Sequence, residues 1–395
     1  MAWPLTGIIA SAQTEDLEQE IPSQRKTPTV EPLAHQDRSS SLINLANAAL
    51  TRYEQSGRME ELNNVITYYR EALALSPPGH QHHSTALNNL AVALRTRYDQ
   101  SGQMEDLKDA ITYNSEALSL CPSGHPERAK FLGSLANAIF TRYKQLGRTE
   151  DLEDAIRYNR EALTLCPVGH PDRSTFLINL ANAVSDRYSQ LGRTEDLEET
   201  IKYNREALSL SPLGQNHSAS LNNLAVALRT RYEQSGQMED LKDAITYNKE
   251  ALSLCPLGHP DRAMSLGSLA NALLTRYKQS GRTEDLEDAI TYNREALTLC
   301  PVGNPDRSTF LINLASAVSD RYDRSGRMDD LDETIKHNRE ALSLSPPGHR
   351  HHSPSANNLA ASLLTRYNQS HQMGDLEEAI ECNSELFSNG VIITT

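Results

Sequence analysis

The chain repeats one sequence pattern eight times at a nearly constant interval. Each copy contains an Arg-Tyr pair, and successive tyrosines are 45 residues apart in every step but one, which is 44. A fixed period of this size is typical of repeat arrays, in which each unit buries its apolar face only against its neighbours. The pairs are Arg52-Tyr53, Arg97-Tyr98, Arg142-Tyr143, Arg187-Tyr188, Arg231-Tyr232, Arg276-Tyr277, Arg321-Tyr322 and Arg366-Tyr367.

The copy at residues 84–128 indicates that each unit is a pair of helices. Apolar side chains recur at helical spacing in its first half and again in its second half, which predicts two amphipathic helices, A and B. Ser101-Gly102 ends helix A, since glycine accepts the left-handed conformation that closes a helix. Pro122 and Gly124 end helix B. The predicted fold class is therefore all-α, a right-handed α-α superhelix of eight helix-turn-helix repeats.

The repeats divide the chain into three regions. Residues 1–38 are expected to form a degenerate, partly disordered half-repeat, because Pro22 and Pro28 fall inside its predicted helix. Residues 388–395 are expected to form an irregular tail. The solenoid itself covers residues 39–387, in repeats at 39–83, 84–128, 129–173, 174–217, 218–262, 263–307, 308–352 and 353–387.

The sequence also repeats over a longer period that comprises three of these units. Residues 84–217 and 218–351 align at an offset of 134, and LNNLAVALRTRY occurs at both 87–98 and 221–232. We interpret this as tandem duplication, which lengthens a surface without creating a new kind of site.

The repeat resembles the tetratricopeptide repeat family. Leu87-x2-Leu90-Ala91-x2-Leu94, followed by Ala110 and Pro122, is similar to the family pattern. The copies here are longer than the family's roughly 34 residues, and Asn114 stands where the family has an aromatic residue. The NNLA, TRY, EDL, EAL and P-x-GHP-x-R elements resemble long arrays of fungal proteins that carry a CHAT protease domain or a nucleotide-binding signalling domain.

This resemblance implies a non-enzymatic scaffold that binds a peptide or protein segment in a concave groove lined by the A helices. A row of asparagines on helix A suits that role, because one amide both donates and accepts hydrogen bonds. A solvated polar stripe explains the same row equally well, and both interpretations stay open. The row comprises Asn44, Asn89, Asn179, Asn223, Asn313 and Asn358, with Ser134 and Ser268 in the other two copies.

A second interpretation makes the array the sensor or regulatory arm of a larger CHAT-protease or nucleotide-binding signalling protein. The last segment, ECNSELFSNGVIITT, departs from the repeat pattern and lacks its closing proline. On this view the chain is truncated and lacks a C-terminal effector domain.

Two other recurring features are predicted to be structural. Tyr98 is expected to pack beneath the turn, and Arg97 to reach helix carbonyls or the acids Glu105 and Asp106. A row of asparagines on helix B takes the place of the expected core aromatic, which favours a packing role. Its members are Asn114, Asn159, Asn204, Asn248, Asn293, Asn338 and Asn383.

The sequence predicts no catalysis and no cofactor or metal. It contains no HExxH, GxSxG, phosphate-binding glycine loop or CxxC pair. The histidine loops at 79–83 and 348–352 are interpreted as solvated, because the equivalent loops lack a matching set of ligands. Four cysteines are interpreted as packing residues, since other copies carry serine at their position: Cys121, Cys166, Cys255 and Cys300.

Net charge and hydropathy limit the classes of partner that we expect for this chain. The formal net charge of −14 predicts no nucleic-acid partner, because a binder of that class needs a basic footprint. The sequence has no apolar run of about 18 residues and no secretory signal pattern. We therefore predict a protein or peptide ligand, no membrane association and an intracellular, cytoplasmic location. The oligomeric state is left open.

Overall fold

The computed structural model describes residues 32–76, 82–210, 217–259, 261–301, 304, 306–345 and 352–388. In these ranges the chain forms sixteen α-helices and no β-strand, which confirms the predicted all-α architecture of helical hairpins. Odd-numbered helices are A helices and even-numbered helices are B helices. They are α1 (Pro32–Ser56), α2 (Met59–Leu75), α3 (His83–Ser101), α4 (Met104–Ser119), α5 (Arg128–Leu146), α6 (Thr149–Thr164), α7 (Arg173–Leu191), α8 (Thr194–Leu210), α9 (His217–Ser235), α10 (Met238–Ser253), α11 (Arg262–Ser280), α12 (Thr283–Thr298), α13 (Arg307–Ser325), α14 (Met328–Ser343), α15 (His352–Ser370) and α16 (Met373–Ser388).

The two terminal regions distinguished in the sequence fall mostly outside these ranges. Residues 1–31, which include Pro22 and Pro28, and residues 389–395 lie outside the described part of the chain. Helix α1 begins at Pro32, within the segment assigned to the half-repeat. The expected disorder at the two ends therefore stays a prediction.

Contacts along the chain define two compact units. The first comprises Met1–Thr141 with Arg157–Leu165, and the second comprises Arg142–Ile156 with Cys166–Thr395. The division falls within α5 and α6.

Each unit has a core of aliphatic side chains from neighbouring hairpins. In the first unit α2 packs against α3, and Tyr69, Leu90 and Leu94 are at most 1% exposed. In the second unit Leu269 of α11 and Leu286 of α12 belong to one cluster that extends into the flanking hairpins. Full burial of a leucine is worth roughly 1.5–3 kcal/mol. A hairpin therefore depends on its neighbours for much of its stability.

A left-handed glycine closes the turn between helices A and B. Gly102 has φ 69°, and its N–H donates to the Tyr98 carbonyl oxygen at 2.7 Å. The left-handed conformation costs other residues about 1–2 kcal/mol, so glycine suits this position. Helix α4 begins two residues later, at Met104.

An arginine–aspartate pair joins the two helices across this turn. Arg97 Nε and Nη2 donate to the two carboxylate oxygens of Asp106, each at 2.7 Å. Asp106 lies in the first turn of α4, and its side chain is only 7% exposed. The predicted structural role of the arginine is confirmed, with Asp106 as its acceptor. The same pair recurs as Arg142–Asp151, Arg187–Asp196, Arg231–Asp240, Arg276–Asp285, Arg321–Asp330 and Arg366–Asp375.

The remaining guanidinium nitrogen of this arginine often reaches the preceding hairpin. Arg187 Nη1 donates to Glu153 at 3.2 Å, and equivalent bonds link Arg231 to Glu198, Arg321 to Glu287 and Arg366 to Asp332.

The link has a different form before Arg276. Lys242 occupies the position 34 residues earlier, and its ammonium group lies 3.2 Å from Glu239. A lysine cannot accept a hydrogen bond from a guanidinium. The residue 34 positions before Arg142 is likewise a lysine, Lys108, whereas Asn63 accepts from Arg97 Nη1 at 3.0 Å.

The first residue of helix A ties the preceding loop to the hairpin. Arg262 Nη1 donates to the Cys255 carbonyl oxygen at 2.8 Å, and its Nε donates to Glu295 at 2.8 Å. Arg128, Arg173 and Arg307 make the same two contacts in their own repeats.

Histidine takes the place of this arginine where serine takes the place of cysteine. His83 Nδ1 lies 2.6 Å from the Ser76 carbonyl oxygen, and His352 Nδ1 lies 2.7 Å from that of Ser345. Both rings are buried. The prediction that the histidine loops are solvated is therefore wrong for these two members, because each ring packs over the loop as the first residue of a helix. His80, His349 and His351 lie outside the described residues.

The five cysteines are buried free thiols, consistent with the packing role predicted for four of them. Burial raises the pKa of Cys300 to about 11, and burial also raises the pKa of Cys166. A thiol with a raised pKa forms little of the reactive thiolate at neutral pH.

Close packing between A helices explains a glycine inside a helix. A Cβ atom placed on Gly267 in α11 would lie 2.7 Å from Cε1 of Phe310 in α13. Phe310 is 3% exposed and so has little room to move. The glycine accommodates the aromatic ring of the next hairpin.

We expect Gly267→Ala to destabilise the second unit. The clash should cost about 1–3 kcal/mol, which exceeds the roughly 1 kcal/mol that alanine gains over glycine in a helix. Urea unfolding followed by circular dichroism would measure the change. In a Phe310→Leu background the same substitution should become neutral or stabilising. Equal losses in both backgrounds would contradict the steric explanation.

We expect the last hairpin to lose a specific contribution to stability in acid. The hydrogen bonds from Arg366 hold the pKa of Asp375 below its ordinary value of 3.8. Stabilisation by the carboxylate is therefore complete above the unfolded-state pKa and is lost as the pH falls through the lower folded-state value. Asp375→Asn should destabilise α15 and α16 at pH 7 in hydrogen exchange, and the difference from wild type in the free energy of opening should shrink below about pH 4. A difference that stays constant down to acid pH would contradict this.

Candidate binding face on the A helices

Neighbouring A helices contact one another directly in the second unit. Helix α9 contacts α7 and α11, and α11 contacts α13. Each also packs against its own B helix and the preceding one, as α9 does with α10 and α8. The remaining strip of helix A surface is here called the A face. Its polar side chains from α7 to α13 include Asn182, Asp186, Asn223, Arg229, Glu233, Asn271, Lys278, Asn313 and Asp320.

The predicted asparagine row is only partly accessible. Asn179 is 4% exposed, and both polar atoms of its amide are buried without a hydrogen-bond partner. It therefore lies beneath the A face and cannot contact a ligand without rearrangement. The other five members are exposed or half-buried: Asn44, Asn89, Asn223, Asn313 and Asn358.

Amides of adjacent A helices lie within hydrogen-bonding distance of each other. Asn223 Nδ2 donates to Asn182 Oδ1 at 2.9 Å, across the contact between α9 and α7. In the first unit the hydroxyl of Tyr69 donates to Asn47 Oδ1 at 2.6 Å. An asparagine amide has two donor hydrogens and an acceptor oxygen with two lone pairs. One such bond therefore leaves Asn223 able to bind a further polar group.

Charged side chains also lie on the A face, and the sequence analysis did not identify them. Lys144 Nζ lies 2.8 Å from Asp186 Oδ2, and Lys278 Nζ lies 3.2 Å from Asp320 Oδ2. Burial raises the pKa of Asp320, although Lys278 opposes the shift. Arg229 pairs with Glu233, one turn further along α9.

These charges follow the three-repeat period rather than the single repeat. Lys144 and Lys278 are 134 residues apart, as are Asp186 and Asp320. A search for residues shared by all eight copies therefore misses them. Alignment of residues 84–217 with 218–351 is the sequence signal that would have shown them.

Six of the seven asparagines in the helix B row are buried, and Asn383 is half-buried. Asn248 Nδ2 donates to the Ser268 carbonyl oxygen at 3.2 Å, and Asn338 Nδ2 donates to Ser362 Oγ at 3.2 Å. Both acceptors lie on the A helix of the next hairpin. The predicted packing role is confirmed, and it includes polar contacts between hairpins. The members at most 2% exposed are Asn114, Asn159, Asn204, Asn248, Asn293 and Asn338.

The described ranges contain neither a cluster of metal-ligating side chains nor a helix suited to span a membrane. No group of three or more His, Cys, Asp or Glu side chains is arranged there to hold a metal ion. No helix in those ranges has both the length and the apolar character that a membrane span requires.

Comparison with known proteins places the repeats in a family. The tetratricopeptide repeat family matches residues 84–127 and 217–261. No curated protein sequence matches the chain. The narrower resemblance to fungal CHAT-associated arrays stays a prediction.

Solved structures share the fold at low sequence identity. Human IFIT1, solved as a dimer with m7Gppp-AAAA, has a TM-score of 0.58 at 12% identity, covering 96% of this chain and 77% of that one. A tetratricopeptide repeat protein from Parabacteroides merdae gives 0.50 at 12% identity, covering 83% and 99%. The APC/C hetero-tetramer Cut9-Hcn1 gives 0.53 at 16% identity, covering 88% of this chain and 55% of that one. At these identities the likeness concerns the fold alone.

The exclusion of nucleic acid as a partner was wrong. Human IFIT1 holds m7Gppp-AAAA on a fold of this kind, so the fold itself is compatible with RNA. The physical reason is that a net charge is an average over the whole chain and does not set the sign of one face. Lys144, Arg229 and Lys278 place cations on the A face of this acidic protein.

The match to two copies of the repeat agrees with the hairpin architecture of the described residues and with the solved structures of similar fold. That fold is typical of protein-interaction scaffolds without catalytic activity. The chain contains tetratricopeptide repeats, at residues 84–127 and 217–261.

Proposed function

We propose that the A face binds an extended peptide segment of a partner protein. In the second unit the ligand-contacting residues are the accessible asparagines Asn223, Asn313 and Asn358, while Asn179 is buried. In the first unit, taken by itself, Asn44 and Asn89 have the same role. In this role the protein is a scaffold that captures a segment by its backbone.

The observation that carries the proposal is the hydrogen bond between Asn223 and Asn182 at 2.9 Å. It supports a face on which amides of successive A helices approach each other closely. A passing peptide unit presents one N–H donor and one C=O acceptor, which an amide can satisfy together.

Burial of these amides favours a ligand over plain solvation. Asn223 and Asn313 are half-buried, so they keep fewer water contacts than a surface side chain. A hydrogen bond gained in such a place contributes about 0.5–1.5 kcal/mol net. Several bonds along one segment would give specific binding without a deep pocket.

The test begins with a random linear peptide library displayed on phage and selected against the full chain. Selected peptides are synthesised with a fluorescent label, and their affinities are measured by anisotropy. We expect the variant Asn223→Ala/Asn313→Ala/Asn358→Ala to bind them at least about tenfold more weakly, because three bonds of roughly 0.5–1.5 kcal/mol each are removed. Circular dichroism should show unchanged helicity.

The matched control removes three polar side chains from B helices, as Asn64→Ala/Lys202→Ala/Lys249→Ala, and should leave the affinity unchanged. Equal binding by the two triple variants would contradict the proposal. Single-stranded oligoadenylate is measured beside the peptides. If the RNA bound more tightly than every selected peptide, and if the asparagine variant lost that binding, the ligand of the A face would be a nucleic acid and not a peptide.

A further inference from the structure

Three charged side chains of alternating sign lie side by side on successive A helices. Glu233 of α9 and Lys278 of α11 line one open pocket of about 360 Å³, together with Tyr232, Thr275 and Gln279. Lys278 Nζ lies 3.2 Å from Asp320 Oδ2 on α13. Glu233, Lys278 and Asp320 therefore alternate in sign along the A face from α9 to α13, with Arg229 beside Glu233 on α9.

Two of these charged side chains, Glu233 and Lys278, are accessible and form only weak ion pairs. The side chain of Glu233 is 45% exposed and that of Lys278 is 54% exposed. Ion pairs at such exposed positions typically contribute only about 0–1 kcal/mol. Glu233 and Lys278 can therefore exchange their present partners for charges of a ligand at little cost, whereas Arg229 and Asp320 are more buried, at 22% and 21% exposed.

The environment of the Asp320 carboxylate favours the binding of a second cation. Its side chain is 21% exposed, and burial raises the pKa of its carboxyl group above the ordinary value. A carboxylate that has lost part of its hydration gains from any additional positive partner. A basic ligand side chain at this position would supply one.

Lys278 Nζ and Asp320 Oδ2 lie 3.2 Å apart while they pair with each other, so a ligand that pairs with both must separate them. The spacing of the helices then limits the conformation of that ligand. Helices in direct contact have axes about 8–10 Å apart. A polyproline II segment has three residues per turn and rises about 3.1 Å per residue, so every third side chain points the same way at intervals of about 9 Å. A β-strand would place residues i and i+3 on opposite sides.

We propose that the A face between α9 and α13 recognises a peptide in the polyproline II conformation with the pattern basic-x-x-acidic-x-x-basic. The two basic side chains pair with Glu233 and with Asp320, and the acidic one pairs with Lys278. The pattern reads the same in both chain directions, so the ligand's polarity need not be known. This proposal rests on the proposed function, since it names the peptide that the A face selects.

A local fluorescent probe tests the proposal. The native cysteines are buried, so a cysteine introduced by Ser280→Cys at an exposed position can be labelled selectively with an environment-sensitive dye. Three synthetic peptides are titrated against the labelled full chain. One carries Lys-x-x-Glu-x-x-Lys with alanine and proline at x, one has the same composition with the three charges adjacent, and one carries Glu-x-x-Lys-x-x-Glu.

We expect the spaced Lys-Glu-Lys peptide to bind at least about fivefold more tightly than the other two, with the difference decreasing as salt is added. Glu233→Gln should lower the affinity for the spaced peptide by about two- to fivefold, which is the effect expected from the loss of a half-exposed ion pair. The exchange Glu233→Lys/Lys278→Glu should remove the preference for it. Lys242→Glu, an exposed charge reversal on helix α10, should leave all three affinities unchanged.

The outcomes separate this proposal from the proposed function. Equal binding of the spaced and adjacent peptides, lost in Asn223→Ala/Asn313→Ala/Asn358→Ala, would overturn the charge rule and leave backbone capture intact. If no peptide altered the probe, the charge rule would again be overturned. Backbone capture would then be judged by the phage selection, whose failure would overturn it separately.

Discussion

The arginine–aspartate pair across seven of the A–B turns, from Arg97–Asp106 to Arg366–Asp375, is the interaction on which these hairpins depend. A bidentate contact fixes both distance and orientation, because the planar guanidinium matches the two carboxylate oxygens. Arg97 and Asp106 are nine residues apart, and they hold the end of one helix against the first turn of the next. Removing either partner would leave the other half-buried without its counter-charge, which is costly. The angle between helices A and B is thus fixed by a contact within the hairpin.

Contacts between hairpins show a more varied pattern than contacts within them. Gly267 faces Phe310, whereas Asn222 donates to Ser265 Oγ at 2.8 Å across an equivalent boundary. The shape of one A helix is therefore matched by that of the next. Because these pairs change from boundary to boundary, repeats are not freely interchangeable, even though their helices begin and end at equivalent positions.

Much of the fold followed from the sequence because its determinants are local. Helical spacing and the glycine after Tyr98 were enough to place the helices and their turn. Arg97 was assigned to the turn correctly, with Asp106 as one of several acceptors. The burial of Asn179 was not predictable, since exposure within a row depends on the neighbouring A helices. The buried positions of His83 and His352 were also missed. They become apparent only when the residue before the loop is compared with the first residue of the next helix, because histidine follows serine where arginine follows cysteine.

The candidate site was less accessible to sequence reasoning than the fold. Residues present in every copy serve the scaffold, as the arginines do. The side chains that distinguish one part of the A face from another, such as Lys278 and Asp320, vary over three repeats and become adjacent only when the helices stack. Net charge was misleading for the same reason, because it contains no information about position.

The links between hairpins have a consequence for how such a chain can change in length. Arg187 and Arg366 each reach an acid 34 residues earlier, whereas Arg231 reaches Glu198 across 33. The shorter separation coincides with the one 44-residue repeat, whose missing residue falls between α8 and α9. The ion pair survives the deletion. The separation between an arginine and its acid in the preceding hairpin can thus differ by one residue without loss of the bond that joins the two hairpins.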